Sequence, residues 1–79
     1  MSRDSGRLAW RCRRGTRELD LILGRFLERG YSELDVRQRE LFERLLDCED
    51  DRLQLWLLSS EEPADAELAE IVEIVRQPR

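Results

Sequence analysis

Residues 13–21 read Arg-Arg-Gly-Thr-Arg-Glu-Leu-Asp-Leu, and they set the chemistry this chain can do. Arg11, Arg13, Arg14, Arg17, Glu18 and Asp20 crowd around the single glycine Gly15. A guanidinium can grip a carboxylate or a pair of carbonyls with two parallel hydrogen bonds. A carboxylate at the start of a helix is favoured by the helix dipole. A glycine between them lets another backbone approach closely. This is a set for recognition, and it lacks the parts for bond-making. The sequence has no histidine, which removes the commonest general base and metal ligand. Cys12 and Cys48 each sit among apolar helical residues and read as small buried hydrophobes. No glycine-rich phosphate loop is present, so a stand-alone enzyme is the least favoured class.

The elements that must position this cluster are helices. A chain of 79 residues supports one domain with a modest core, and apolar stripes at helical period are the economical way to build it. The spacing predicts a first helix over residues 7–14, with Leu8, Ala9 and Cys12 on one face and Arg7, Arg11 and Arg14 on another. A second helix is expected over 17–29, with Leu19, Ile22, Leu23, Phe26 and Leu27 as its stripe and Gly30 as its stop. Gly15 is expected to cap the first helix at its C-terminus, and Thr16 to cap the second at its N-terminus.

Asp35 followed by Gln38 is a capping-box pattern for a third helix, whose apolar face is Leu41, Phe42, Leu45 and Leu46. A fourth is expected over 51–58, with Leu53, Trp56 and Leu57, and a fifth over 65–76, with Leu68, Ile71, Val72 and Val75. No strand alternation, repeat or low-complexity segment interrupts this order. The expected layout is a polar, disordered segment 1–6, one five-helix domain over 7–76, and a short tail 77–79.

Other residues read more plainly. Trp10 and Trp56 are expected in the core or at its edge, and Tyr31 in a partly buried loop. The run Glu49-Asp50-Asp51 lacks the spacing of a calcium loop and reads as a solvated helix cap. Arg14 and Glu18, four apart, can either face a partner or pair with each other across the turn.

The net charge is −4, unevenly spread. Residues 1–29 carry eight Arg against four acids, and residues 30–79 carry six Arg against fourteen acids. A dipolar chain of this kind can steer a protein partner, and its acidic half disfavours nucleic acid. No apolar run reaches membrane-spanning length, and no secretory leader is apparent, so the protein is expected in the cytoplasm.

The pattern Trp10-x-Cys12-Arg13-Arg14-Gly15-x-Arg17-Glu18-Leu19-Asp20 resembles the RGxxE signature of the succinate dehydrogenase assembly factor 2 family, the bacterial SdhE/YgfY flavinators and their mitochondrial relatives. Further blocks resemble the same family in the same order: Leu45-Leu46-Asp47-Cys48-Glu49-Asp50, Leu53-x-x-Trp56-Leu57 and Pro63-Ala64-Asp65-x-Glu67-Leu68. The resemblance covers about residues 7–76.

It implies an all-α, small five-helix bundle. It implies an FAD assembly factor that binds the flavoprotein subunit of succinate dehydrogenase, and of fumarate reductase in some bacteria. Such factors promote covalent attachment of FAD to a histidine of that subunit. The signature carries over to Arg14, Gly15 and Glu18. With the neighbouring Arg11, Arg17 and Asp20 they form the expected partner-binding set. FAD is then the client's cofactor, not one held tightly by this chain, and the chain is expected to be a monomer.

Two other classes fit parts of the sequence. One is a soluble antitoxin-like or regulatory protein acting on a membrane or cell-division partner, which needs no RGxxE surface. The other is a small helical nucleic-acid-binding module, for which no helix carries a series of exposed Arg or Asn.

Overall fold

The computed structural model describes residues 3–78. Five α-helices follow one another: α1 Arg3–Arg11, α2 Arg17–Arg29, α3 Val36–Leu46, α4 Asp50–Leu57 and α5 Ala66–Arg76, with a 3₁₀ turn at Tyr31–Glu33 between α2 and α3. No strand occurs among the described residues, so the chain is the all-α bundle expected from its periodicity.

The caps explain most of the boundaries. Asp35 accepts from the Gln38 N–H at 2.8 Å, and the Gln38 side chain accepts from the Asp35 N–H at 3.1 Å, completing the capping box. Asp65 accepts from the N–H groups of Glu67 and Leu68 at the head of α5. The Gly30 N–H closes α2 onto the Phe26 carbonyl at 2.7 Å, and the chain then tightens into the 3₁₀ turn.

The core takes one stripe from each helix. Leu19, Leu23 and Phe26 of α2 meet Phe42 and Leu45 of α3, Leu53 of α4, and Ile71 and Val72 of α5. Each such buried Leu or Phe contributes about 1.5–3 kcal/mol relative to exposure. The Phe26 and Phe42 rings lie 5.1 Å apart and tilted, and the Tyr31 ring meets Phe42 at 5.7 Å, also tilted. Ile22 and Leu68, expected inside, are partly buried against this core. Leu8 and Cys12 seat α1 upon it. Both cysteines are free thiols, and burial pushes the Cys12 thiol up to about 11.

Ion pairs fasten α3 along α5. Arg37 forms a two-pronged pair with Glu70 at 2.8 and 3.0 Å, and Arg44 reaches Asp65 at 3.2 Å and Glu67 at 3.1 Å. All are exposed to solvent, so each adds little to stability. No helix among the described residues is long and apolar enough to cross a membrane.

The sequence pattern misplaces the ends of α1. Of the segment expected to be disordered, Arg3–Gly6 belong to α1, whereas Met1 and Ser2 lie outside the described residues, as does Arg79 of the expected tail. At the other end α1 stops at Arg11 rather than continuing to Arg14. The chain peels away so that Arg14 can turn toward the end of α3. Trp10, expected at the core or its edge, is 74% exposed, because Leu8 and Cys12 already occupy the inward face of α1. Trp56 does pack against the core.

Candidate functional site

The corner between α1 and α2 is built around Arg14. Its side chain is only 17% exposed. Nε donates to Asp50 Oδ1 at 2.7 Å, Nη1 to the Leu46 carbonyl at 2.9 Å and the Arg11 carbonyl at 3.2 Å, and Nη2 to the Cys48 carbonyl at 2.8 Å. Leu46 and Cys48 flank the C-terminus of α3, where carbonyls lack helical partners. The guanidinium supplies those missing donors and places a cation where the α3 dipole favours one. Asp50 neutralises that cation from the first turn of α4. Arg14 therefore does not pair with Glu18, its nearest candidate in sequence.

Arg11 works beside it. Its guanidinium donates to Glu43 Oε1 at 3.4 Å, to the Glu43 carbonyl at 3.3 Å, and to Asp47 Oδ1. Asp20 reaches back from α2 and accepts the Arg14 backbone N–H at 2.6 Å. The uneven charge of the chain is thus partly consumed within the fold: the basic end of α1 is clasped by the acidic α3–α4 corner.

The six residues expected to face a partner are brought to this corner but divide into two groups. Arg11, Arg14 and Asp20 are engaged internally. Gly15, Arg17 and Glu18 are exposed, and neither Arg17 nor Glu18 has a hydrogen bond or ion pair among the described residues.

Gly15 has φ +90, the one positive-φ residue among those described, and a Cβ there would meet no atom within 4 Å. It lies beyond the end of α1, so its role is to reverse the chain between the helices rather than to cap α1 directly. Thr16 holds the N-cap position with extended backbone, but its hydroxyl makes no capping bond. That oxygen is buried without a partner among the described residues, and the helix N–H groups it was expected to satisfy do not receive it. Glu18 and Asp20 supply the negative charge that favours the start of α2.

The arrangement is an exposed surface on a turn that is hydrogen-bonded from within. Arg14 and Asp20 hold the turn, the turn projects Gly15 outward, and α2 presents Arg17 and Glu18 beside it. Three further exposed residues border this surface: Arg13, Trp10 and Leu21. Arg13 stood in the charged cluster read from the sequence, whereas Leu21 was missed, its one signal being an apolar residue off the α2 stripe.

The chain matches the model of the family described as flavinator of succinate dehydrogenase over residues 6–79. It is 40% identical over 73 residues to the FAD assembly factor SdhE of Yersinia pseudotuberculosis serotype I (strain IP32953), covering 92% of this chain and 83% of that relative. The FAD assembly factor SdhE of Yersinia pestis is similar to the same extent. The one of Idiomarina loihiensis is 40% identical over 70 residues, covering 89% of this chain and 78% of that relative.

Proposed function

Because this chain belongs to the flavinator of succinate dehydrogenase family, we propose that it is an FAD assembly factor that binds the flavoprotein subunit of succinate dehydrogenase and promotes covalent attachment of FAD to it. It is not itself an enzyme. The observation that carries this reading is the family match along nearly the whole chain, joined to an outward-facing Gly15 on a turn held from beneath by Arg14.

The mechanism follows from what the residues can do. The chain has no histidine, so it contributes neither the attachment residue nor the usual proton carrier. Its contribution is orientation. A rigid surface that grips the flavoprotein can hold the client's own histidine against its flavin, converting a rare alignment into a persistent one. The bond-forming chemistry belongs to the flavin when it is bound in the client. Within this chain Gly15 gives the client backbone close access, and Arg17 and Glu18 offer opposite charges at the start of α2 beside it. Arg11, Arg14 and Asp20 keep the turn in shape.

The fumarate reductase flavoprotein, closely related in chemistry, is a second client. The factor acts as a monomer in the cytoplasm, and FAD is held by the client rather than by this chain.

The test is co-production of the chain with the flavoprotein subunit under limiting FAD. Covalent flavin is then read as fluorescence that survives denaturing electrophoresis. A clear rise over the subunit alone is expected. Equal labelling with and without the chain would overturn the reading.

A further inference from the structure

A groove of about 460 Å³ opens between α1 and α2. Leu8, Ala9 and Cys12 form one wall, and Gly24, Leu27 and Tyr31 form the other. Gly24, like Gly6 of α1, is a helical glycine that the fold does not require. It lies mid-helix, its φ is not positive, and a Cβ there would meet no heavy atom within 4 Å. A glycine inside a helix is less stable than an alanine in the same place. Neither backbone geometry nor internal packing requires it, so what it provides is depth in the groove.

The groove runs directly out of the Arg14–Gly15 corner. Asp20 lines it while holding the Arg14 N–H, and Arg13 lines it one residue before the signature arginine. Leu21 stands exposed on the α2 shoulder, next to Arg17 and Glu18 at helical spacing. The rim is charged at both ends. Arg13 lies at the corner end, and Glu28 lies about two turns beyond Asp20 along α2. Neither Arg13 nor Glu28 has a hydrogen bond or ion pair among the described residues.

We propose that this α1–α2 groove is a second docking site for the flavoprotein client, receiving a large apolar side chain over Gly24 from a segment that carries a cation toward Glu28. The proposal rests on the reading of the chain as a client-binding factor and extends that contact from one turn to a continuous face. An apolar anchor entering a pocket, bordered by unpaired charge, is the usual energetic centre of a protein interface.

The experiment measures binding of the purified flavoprotein subunit to the full chain by calorimetry, for wild type and for Gly24→Leu, Glu28→Arg and Gly15→Arg. Gly24→Leu fills the groove from its α2 wall and replaces a poor helix former with a good one, so it should melt at or above the wild-type temperature. It should bind the client about tenfold more weakly or worse, the loss expected on blocking an anchor pocket. Glu28→Arg should weaken binding severalfold, with a smaller loss at high salt.

Gly24→Leu binding as tightly as wild type, while Gly15→Arg fails to bind, would overturn the groove alone. Wild type failing to bind the flavoprotein would overturn the underlying reading as well. A wild-type dimer by sedimentation that Gly24→Leu dissociates would assign the groove to a second copy of this chain and overturn the proposal.

Discussion

The Arg14 Nε donates to Asp50 Oδ1 at 2.7 Å across 36 positions of sequence, and this one pair joins two helix corners. The same guanidinium also reaches the Leu46 and Cys48 carbonyls. Arg14 is thus mostly buried and engaged within the fold, and what it does there is hold the shape of the turn. Arg14→Ala would leave the α3 terminal carbonyls and Asp50 without their donors. A loss of about 2 kcal/mol is expected, a fall of roughly 8–16 °C in melting temperature for a domain of this size. Asp50→Asn should cost less, because the carbonyl contacts survive. Thermal unfolding followed by circular dichroism checks both. An unchanged Arg14→Ala melting temperature would mean the contacts contribute nothing.

Gly15 separates strain from bulk. Its φ of +90 disfavours any side chain by about 1–2 kcal/mol, yet a Cβ there points into open space. Gly15→Ala and Gly15→Arg should therefore be destabilised alike. Client flavinylation should survive substantially in Gly15→Ala and be lost in Gly15→Arg. Equal loss in the two variants would make the turn geometry, and not its open face, the cause.

Glu18 should behave in the opposite way to Arg14. It is exposed and unpaired among the described residues, so Glu18→Ala should move stability by no more than about 0.5 kcal/mol. Covalent flavin on the client should nevertheless fall. Melting and flavinylation measured on the same preparation decide this. Wild-type activity in Glu18→Ala would remove Glu18 from the contact surface.

Acid should loosen α5 from α3. The Arg37 guanidinium holds the Glu70 carboxyl below its ordinary value of 4.5, and the Leu68 N–H, with that of Glu67 and the Arg44 guanidinium, holds Asp65 below 3.8. A carboxylate with a depressed pKa stabilises the fold above its unfolded value, and that contribution fades as pH falls through the folded value. Glu70→Gln should thus melt slightly below wild type at neutral pH, and the gap should narrow as pH falls below the ordinary value of 4.5. High salt should shrink the gap at neutral pH as well. A gap that persists unchanged at pH 3 would show that the ion pair is not its source.

What the sequence determined by itself is local. The helical period of the apolar residues sets the all-α class. The bounds of α2 follow from its stripe and Gly30, and the heads of α3 and α5 from Asp35 with Gln38 and from Asp65. These depend on contacts three or four residues apart, which a linear pattern contains. The Arg-Gly-Thr run around Gly15 located the corner for the same reason. The tertiary structure decided everything that depends on which surfaces meet. It assigned Arg14 to Asp50 and the end of α3 instead of to Glu18, and it ended α1 at Arg11 so that this could happen. It turned the Thr16 hydroxyl into the corner, exposed Trp10, and left the groove over Gly24 uncovered. A guanidinium finds its partner through packing that brings distant carbonyls within reach, and no spacing along the chain encodes that distance.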